Sequence, residues 1–294
     1  MKVLVTGVAG AIGSVLADKL IEQGHEVNGI DNFFAGNPKN VNEKVNFTQC
    51  DVRAMPPSVF EGVEVVFHLA ALTKLEPSLA NPIEYHDVNV SATICLLKLA
   101  KEHGINRFVF ASSSAVYGHR ENSPEDETLM PMPINPYGTT KLIGEEYLKC
   151  WTRSFELDTV SLRFFNVFGA RENEESEYAC LITKFFKLKR EGKPLTICGN
   201  GNQRFDFVYV GDVVDAIIKA GFANRRMCGE TINIGTGVNH SINEIAKMIG
   251  GDTEWIATRP SDVTWTLADN SKAFAYLGWE PTIKLEDYIN DHQS

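Results

Sequence analysis

Nothing in the sequence is arranged as a metal site. The six cysteines, at positions 50, 95, 150, 180, 198 and 228, are scattered with no C-x-x-C, and the seven histidines form no pair at ligand spacing. This excludes a disulfide framework and predicts reduced, mostly buried thiols, as in a cytoplasmic protein. Positive charge is short as well. The formal net charge is −10, which argues against a nucleic-acid partner bound through its phosphates. An anionic substrate held by a few well-placed Arg or Lys stays open. No apolar run reaches membrane-spanning length, so no membrane association is expected. The first strand begins at residue 2, so no signal peptide is expected, and the sequons at Asn46, Asn89 and Asn239 are read as chance. There are no internal repeats. What is left is 294 residues with 44% hydrophobic composition, enough for one large domain or a main domain with a smaller lobe.

The informative stretch is Gly7-Val8-Ala9-Gly10-Ala11-Ile12-Gly13. It follows the apolar run Lys2-Val3-Leu4-Val5-Thr6, read as a buried strand. It precedes Ser14-Val15-Leu16-Ala17-Asp18-Lys19-Leu20-Ile21, whose apolar residues recur at helical spacing. Strand, glycine turn and helix together give a Gly pattern its meaning as a dinucleotide site. Gly7 turns the chain off the strand, Gly10 admits a pyrophosphate to the backbone, and Gly13 lets the helix approach the sheet. The helix N-terminus then offers free N–H groups to the phosphates. A second strand, 26–30, ends in Asp31. An acid there accepts from the adenosine ribose hydroxyls and repels a 2′-phosphate, which favours NAD over NADP.

Further strands are expected at 45–50, 63–69, 107–111 and 159–163. Asp51, at the end of the third, either bonds the adenine amino group or caps a turn. His68 is read as structural. A long helix is expected over 82–103, and on its apolar face Asn89 either braces the active-site backbone or meets solvent. The run Ser112-Ser113-Ser114 falls at the carboxyl end of a strand, where open α/β sheets place their ligands. Asn135 and Pro136 suit the N-cap and first turn of a helix that puts Tyr137 and Lys141 on one face. An ammonium near a phenol favours the phenolate, which would lower the Tyr137 pKa and make it a general base. Beyond residue 166 the elements shorten. Helices are expected at 177–191, 242–249 and 271–277, strands at 195–198 and 206–210, and a helix running to 223 with Asp212 as its cap.

Taken together, these residues resemble the extended short-chain dehydrogenase/reductases of the nucleotide-sugar epimerase/dehydratase group. Gly7-x-x-Gly10-x-x-Gly13, Asp31, Asp51-Val52, His68-Leu69-Ala70-Ala71, Ser113, Tyr137-x-x-x-Lys141 and Arg163-Phe164-Phe165-Asn166-Val167-Phe168-Gly169 match in order. So do Asp206-Phe207-Val208-Tyr209-Val210, Arg259-Pro260-Ser261-Asp262-Val263 and Leu277-Gly278-Trp279-Glu280-Pro281. The resemblance spans nearly the whole chain. It implies an α/β protein: a Rossmann-type doubly wound parallel sheet over residues 1–165, and a smaller substrate lobe over 166–294 interleaved with the last strands. It implies NAD held by Gly7, Gly10, Ala11, Ile12, Gly13, Asp31, Asn32, Asp51, Val52, Leu69, Ala70, Ala71, Asn89, Tyr137, Lys141 and Phe164. It implies a nucleoside-diphosphate sugar met by Ser113, Ser114, Tyr137, Asn166, Tyr178, Ala179, Arg204, Arg259 and Asp262, with Ser113, Tyr137 and Lys141 catalytic. A homodimer through the helices near 82–103 and 136–155 is expected by the same analogy.

Within the group, sugar 4,6-dehydratases carry Asp-Glu after the catalytic hydroxyl, and UDP-glucuronate decarboxylases usually keep the Glu. Here Ser114 and Ala115 follow Ser113. With no carboxylate for elimination, the chain most resembles UDP-glucose (UDP-galactose) 4-epimerases. Epimerases acting on an N-acetylhexosamine or a uronate, a decarboxylase, and a non-catalytic NAD-binding scaffold are the alternatives. One departure stands out. Relatives carry Arg directly before Asp-Phe-Val, and here that place is Phe205, with Arg204 one residue earlier. Either Arg204 reaches the diphosphate through a shifted loop, or the contact is lost.

Overall fold

Alternation decides the main sheet. In the computed structural model, which describes residues 1–120, 123–172, 174, 179–257 and 263–292, Val3 and Val5 enter one apolar core and Leu4 the opposite one. Phe108 and Phe110 likewise face away from Val109 and Ala111. Strands buried on both faces in this way read as continuous apolar runs, and they require helices above and below.

Among the described residues the strands are β1 (Lys2–Thr6), β2 (Glu26–Asp31), β3 (Asn46–Gln49), β4 (Val65–His68), β5 (Arg107–Ser113), β6 (Asp158–Phe164), β7 (Asn166–Phe168), β8 (Leu195–Cys198), β9 (Arg204–Tyr209), β10 (Glu230–Ile234), β11 (Asn239–Ser241) and β12 (Thr253–Ile256). The helices are α1 (Ala11–Glu22), α2 (Leu75–Ala80), α3 (Pro82–His86), α4 (Ala92–Glu102), α5 (Pro136–Phe155), α6 (Leu181–Arg190), α7 (Val210–Phe222), α8 (Ile242–Ile249), α9 (Ser271–Leu277) and α10 (Leu285–Asp291). The seven-stranded sheet runs β10-β6-β5-β4-β1-β2-β3, with every pair parallel. Its order reverses between β1 and β4, which places the Gly7 turn at the switch point where such sheets bind ligands. Helices α1 and α7 cover one face, and α4 and α5 the other.

The lobe combines β11-β9-β7 and the pair β12-β8 with α6, α8 and α10 around a separate core that includes Phe168, Phe185, Phe207 and Ile245. Its boundary with the main domain is not a single cut. The chain enters the lobe at β7, returns through α7 and β10, and leaves again at β11.

Several expectations need correction. The helix expected over 82–103 is interrupted: α3 runs into a π-helical turn, Asp87–Ser91, before α4. One extra residue per turn there re-aims Asn89 inward. The helix expected from residue 177 begins at Leu181, and residues 175–178 lie outside the described set. Asp212 does not cap α7. It lies in the first turn, and its carboxylate accepts from Thr282 N (2.9 Å), Thr282 Oγ1 (2.6 Å) and Ile283 N (3.0 Å), fastening the C-terminal segment across the helix. The sequence reading also missed β7, β10, β11, β12, α2 and α10, most of them short and without a clear period.

His68 is structural, as expected. It is 1% exposed, with Nδ1 2.8 Å from Thr6 Oγ1 and Nε2 2.9 Å from Thr93 Oγ1. Burial lowers its pKa from 6.5 to about 3. The folded protein therefore keeps it neutral while the unfolded chain protonates it near 6.5, so stability is lost as pH falls from 6.5 toward 3. Acidification to about pH 5 should cost about 2 kcal/mol through this residue. Thermal unfolding of wild type and His68→Gln between about pH 5 and 7 checks this, because the variant should show a shallower pH dependence. Equal slopes would remove His68 from the account.

Candidate active site

Crowding makes the glycines of the first turn necessary. Gly7 adopts φ +73°, and a Cβ on Gly13 would fall 2.1 Å from Gly7 O. Gly10 is different. A Cβ there would meet only Gly7 O at 3.2 Å, so its side is open toward the cavity. Gly10 caps α1 without a side-chain bond, and the first turn carries no acid. The N–H groups of that turn are left for an anion, and Ala11, Ile12 and Gly13 line the cavity. This cradle fits a pyrophosphate.

Beyond the glycine turn the cavity is lined by carboxylates held in place. Asp31 Oδ2 accepts from Ala9 N (3.0 Å) and Oδ1 from Phe33 N (2.7 Å), which fixes a negative charge beside the glycine turn. Asn32 donates to Asp51 Oδ2 at 3.0 Å. Asp51 takes the capping role: it accepts from Arg53 N (2.9 Å), Arg53 Nε (2.8 Å) and Arg53 Nη2 (2.8 Å). The hydrogen bond from Arg53 leads the causes that hold its pKa down at about 2. Asp51, Val52, Leu69, Ala70 and Ala71 also line the cavity. Leu69 N and Ala70 N both donate to Thr6 Oγ1 at 3.1 Å, so the backbone passes under the cavity in a fixed position.

Asn89 is 1% exposed and braces this backbone. Its Oδ1 accepts from Leu72 N (2.8 Å), and its Nδ2 donates to Leu72 O (2.9 Å) and Thr140 Oγ1 (3.1 Å). The side chain thus ties the strap after β4 to α5, one turn from Tyr137. It is not among the residues that line the cavity.

Ser113, Tyr137 and Lys141 come together where β5 ends. Asn135 caps α5 by accepting from Gly138 N at 2.8 Å. Tyr137 and Lys141, 8% and 3% exposed, line the cavity with Ser113, Ser114 and Phe164. Ser113 Oγ accepts from Ala115 N at 3.2 Å, and its hydroxyl is the neighbour that pulls the Tyr137 phenol pKa downward. Lys141 Nζ donates to Ala111 O at 2.7 Å and lies 4.9 Å from the Phe110 ring centre and 5.9 Å from that of Tyr137. Burial dominates both groups. It raises the Tyr137 pKa, against the pull of Ser113, and lowers that of Lys141 to about 7. The lowering of the phenol expected from Lys141 is not found: desolvation raises the Tyr137 pKa, and the group that opposes the rise is Ser113.

The lobe closes the other side of a cavity of about 1190 Å³. Asn166 and Ala179 line it, and Asn166 Nδ2 donates to Asp206 O and Thr266 Oγ1 at 3.2 Å. Arg204 does not line it. Its guanidinium bonds Asn239 Oδ1 (2.9 Å), Asn239 O (2.8 Å) and Glu244 (3.0 Å), while Phe205, the next residue on β9, faces the cavity. Alternation along the strand makes the choice: one side chain goes to α8, the other to the cavity. Tyr178, Arg259 and Asp262 lie outside the described residues. The sequence reading missed Lys74, which lines the cavity and donates from Nζ to Ala179 O at 3.5 Å across the cleft. It also missed the α6 face of Leu181, Lys184, Phe185 and Leu188, although their i, i+3, i+4, i+7 spacing was a readable signal. Among the described residues no group of His, Cys, Asp and Glu could hold a metal, and no helix is long and apolar enough to cross a membrane.

Comparison with known proteins agrees with this geometry. The chain is 33% identical to UDP-glucose 4-epimerase of Mycolicibacterium smegmatis over 307 residues, covering 98% of this chain and 96% of the relative. The structure of a UDP-N-acetylglucosamine 4-epimerase from Methanobrevibacter ruminantium, in complex with UDP-N-acetylmuramic acid, superposes with a TM-score of 0.93 at 34% identity, covering 99% of this chain and 96% of that one. UDP-glucuronic acid 4-epimerase from Bacillus cereus, in complex with UDP-glucuronic acid and NAD, gives 0.92 at 31% identity, covering 100% and 98%. Residues 3–235 match the NAD dependent epimerase/dehydratase family as a whole. The chain belongs to that family, with NAD as its cofactor.

Proposed function

We propose that the protein interconverts UDP-glucose and UDP-galactose by 4-epimerisation through a 4-keto sugar. The observation that carries the reading is the placement of carboxylates in the cavity. Ser113 is followed by Ser114 and Ala115, and the cavity's acids are engaged elsewhere. Asp31 and Asp51 serve the adenosine end, Glu84 lies beside Arg53, Glu172 accepts from Cys180 N, Glu174 pairs with Arg190, and Glu191 pairs with Lys193. Among the described residues an elimination or dehydration at the sugar lacks an acid beside Tyr137, whereas an epimerisation needs only a base that becomes an acid.

In this mechanism Tyr137 takes the proton from the sugar O4, with the Ser113 hydroxyl bonded to both oxygens in turn. Bound NAD would supply the reversible hydride acceptor that oxidation and re-reduction at the sugar C4 require. Tyr137 then gives the proton back to O4, so neither protons nor electrons are left over. Lys141 orients the cofactor ribose and keeps positive charge near the phenolate. Asn166 meets the diphosphate. The substrate preference within UDP-sugars rests on the resemblance to the glucose enzymes and on the M. smegmatis relative. The N-acetylglucosamine and glucuronate enzymes superpose as well, and they supply the competing substrates for the test.

A homodimer through α4 and α5 belongs to the same proposal. Tyr147, Trp151 and Phe155 follow one another along α5 in an edge-on and a tilted contact, with ring centres 5.8 and 5.1 Å apart, and Phe155 is 43% exposed. Such an aromatic row on an outer helix face suits an interface with a second copy.

Proton NMR of the protein with UDP-galactose should show UDP-glucose appearing without net NADH. Conversion of UDP-N-acetylgalactosamine or UDP-galacturonate alone would overturn the hexose assignment. Tyr137→Phe should lower kcat by about 10²–10⁴-fold and leave bound NAD unchanged, and retained turnover would remove Tyr137 from the mechanism. Light scattering should give twice the chain mass of 32.6 kDa, and Trp151→Glu should halve it. A wild-type monomer at micromolar concentration would contradict the dimer.

A further inference from the structure

One buried charge cluster has no part in the mechanism above. Glu145 and Arg163 are 0% and 2% exposed. Arg163 Nε donates to Glu145 Oε1 (2.9 Å) and Nη2 to Oε2 (2.7 Å), while Ser112 Oγ donates to Oε1 at 2.5 Å. The guanidinium carbon lies 4.6 Å from the centre of the Tyr117 ring. Burying two charges needs close geometry to offset desolvation, and a pair kept only for stability is often replaceable by apolar groups. The place of this pair on α5 points to a second role.

Glu145 is one turn beyond Lys141 and two turns beyond Tyr137, so the three share a helix face. That face grips β5 at successive residues. Lys141 Nζ bonds Ala111 O, the Ser112 hydroxyl bonds Glu145, and Ser113 follows directly. Around Lys141 the titratable or charged groups are Tyr137 and Glu145 on α5 and neutral His68 on β4, with Arg163 of β6 bound to the Glu145 carboxylate. Of these Glu145 alone carries a charge that attracts the ammonium.

We infer that Glu145 is a positioning residue, which holds the Lys141 ammonium and the Ser112–Ser113 peptide in register with Tyr137. Its relevance to turnover rests on the 4-epimerase reading. The electrostatic part does not.

The test labels lysine Cε with carbon-13 and follows the Lys141 resonance, assigned by its loss in Lys141→Met, across pH in the protein as purified. In Glu145→Gln the titration midpoint should fall by about one pH unit. In Glu145→Asp, which keeps the charge, it should stay within about 0.3 unit of wild type. The basic limb of kcat/KM for UDP-galactose should move with the midpoint. A midpoint unchanged in Glu145→Gln overturns the inference, whatever happens to stability. A shifted midpoint without turnover of any UDP-sugar leaves it standing and rejects the epimerase reading instead. Because Glu145→Gln leaves Arg163 buried without its partner, the double variant Glu145→Gln/Arg163→Met is the companion. It removes both charges and should still show a downward, smaller shift. No shift there counts against the inference in the same way.

Discussion

The site depends on one physical constraint, the satisfaction of polar groups between α5 and the sheet where water is excluded. Lys141, Glu145, Arg163, Ser112 and Asn89 are all buried at this contact. An unpaired charge in such a place is costly, so each group has few permitted positions. The Lys141 ammonium is fixed on Ala111 O, the Glu145 carboxylate on Arg163 and Ser112, and the Asn89 amide on Leu72 and Thr140. These bonds set the height and rotation of the helix against β5. The Tyr137 phenol and the Ser113 hydroxyl meet because the groups one and two turns away leave the helix no other register.

The same constraint explains which parts of the site were legible in the sequence. The glycine turn could be read because backbone crowding admits no substitute at Gly13, and because a strand and a helix flank it. Tyr137 and Lys141 could be read because i, i+4 spacing survives any detail of packing. Asn89 could be read only in part. Its polarity within an apolar face pointed to bracing, but the π-helical turn that aims it leaves no mark in residue spacing. His68 was correctly discounted, since a lone histidine at the end of a buried strand needs only two hydroxyls, here Thr6 and Thr93.

The misses share a cause. Asp212 has the sequence position of a cap, yet its carboxylate is spent on residues 70 and 71 positions later. Arg204 has the charge expected of a diphosphate ligand, yet it is spent on Asn239 and Glu244. In both cases the residue type was informative and its partner was not, because the partner is supplied by tertiary contacts that local spacing does not encode. The lobe suffers most. Its strands are three to six residues long, too short for a period to show, and its sheet mixes parallel and antiparallel pairs.

The exchange at β9 has a consequence for how this lobe treats a charged ligand. With Phe205 on the cavity wall beside Phe207 and Ile242, β9 offers the cavity an apolar surface and no cation. The lysines that line the lobe side come instead from α6, at Lys184 and Lys187, and from Lys193 after it. An arginine on a central strand would be a rigid, bidentate donor. Lysines on a helix rim are longer, singly pointed and better hydrated, and Lys187 and Lys193 also face Glu191, at 3.9 and 2.8 Å. Charge on that wall is therefore adjustable where a strand arginine would be fixed. On the proposed reading, the rigid part of recognition falls to the α5–β5 contact that carries Tyr137, and the adaptable part to the lobe, where that reading puts the ligand's phosphates and base.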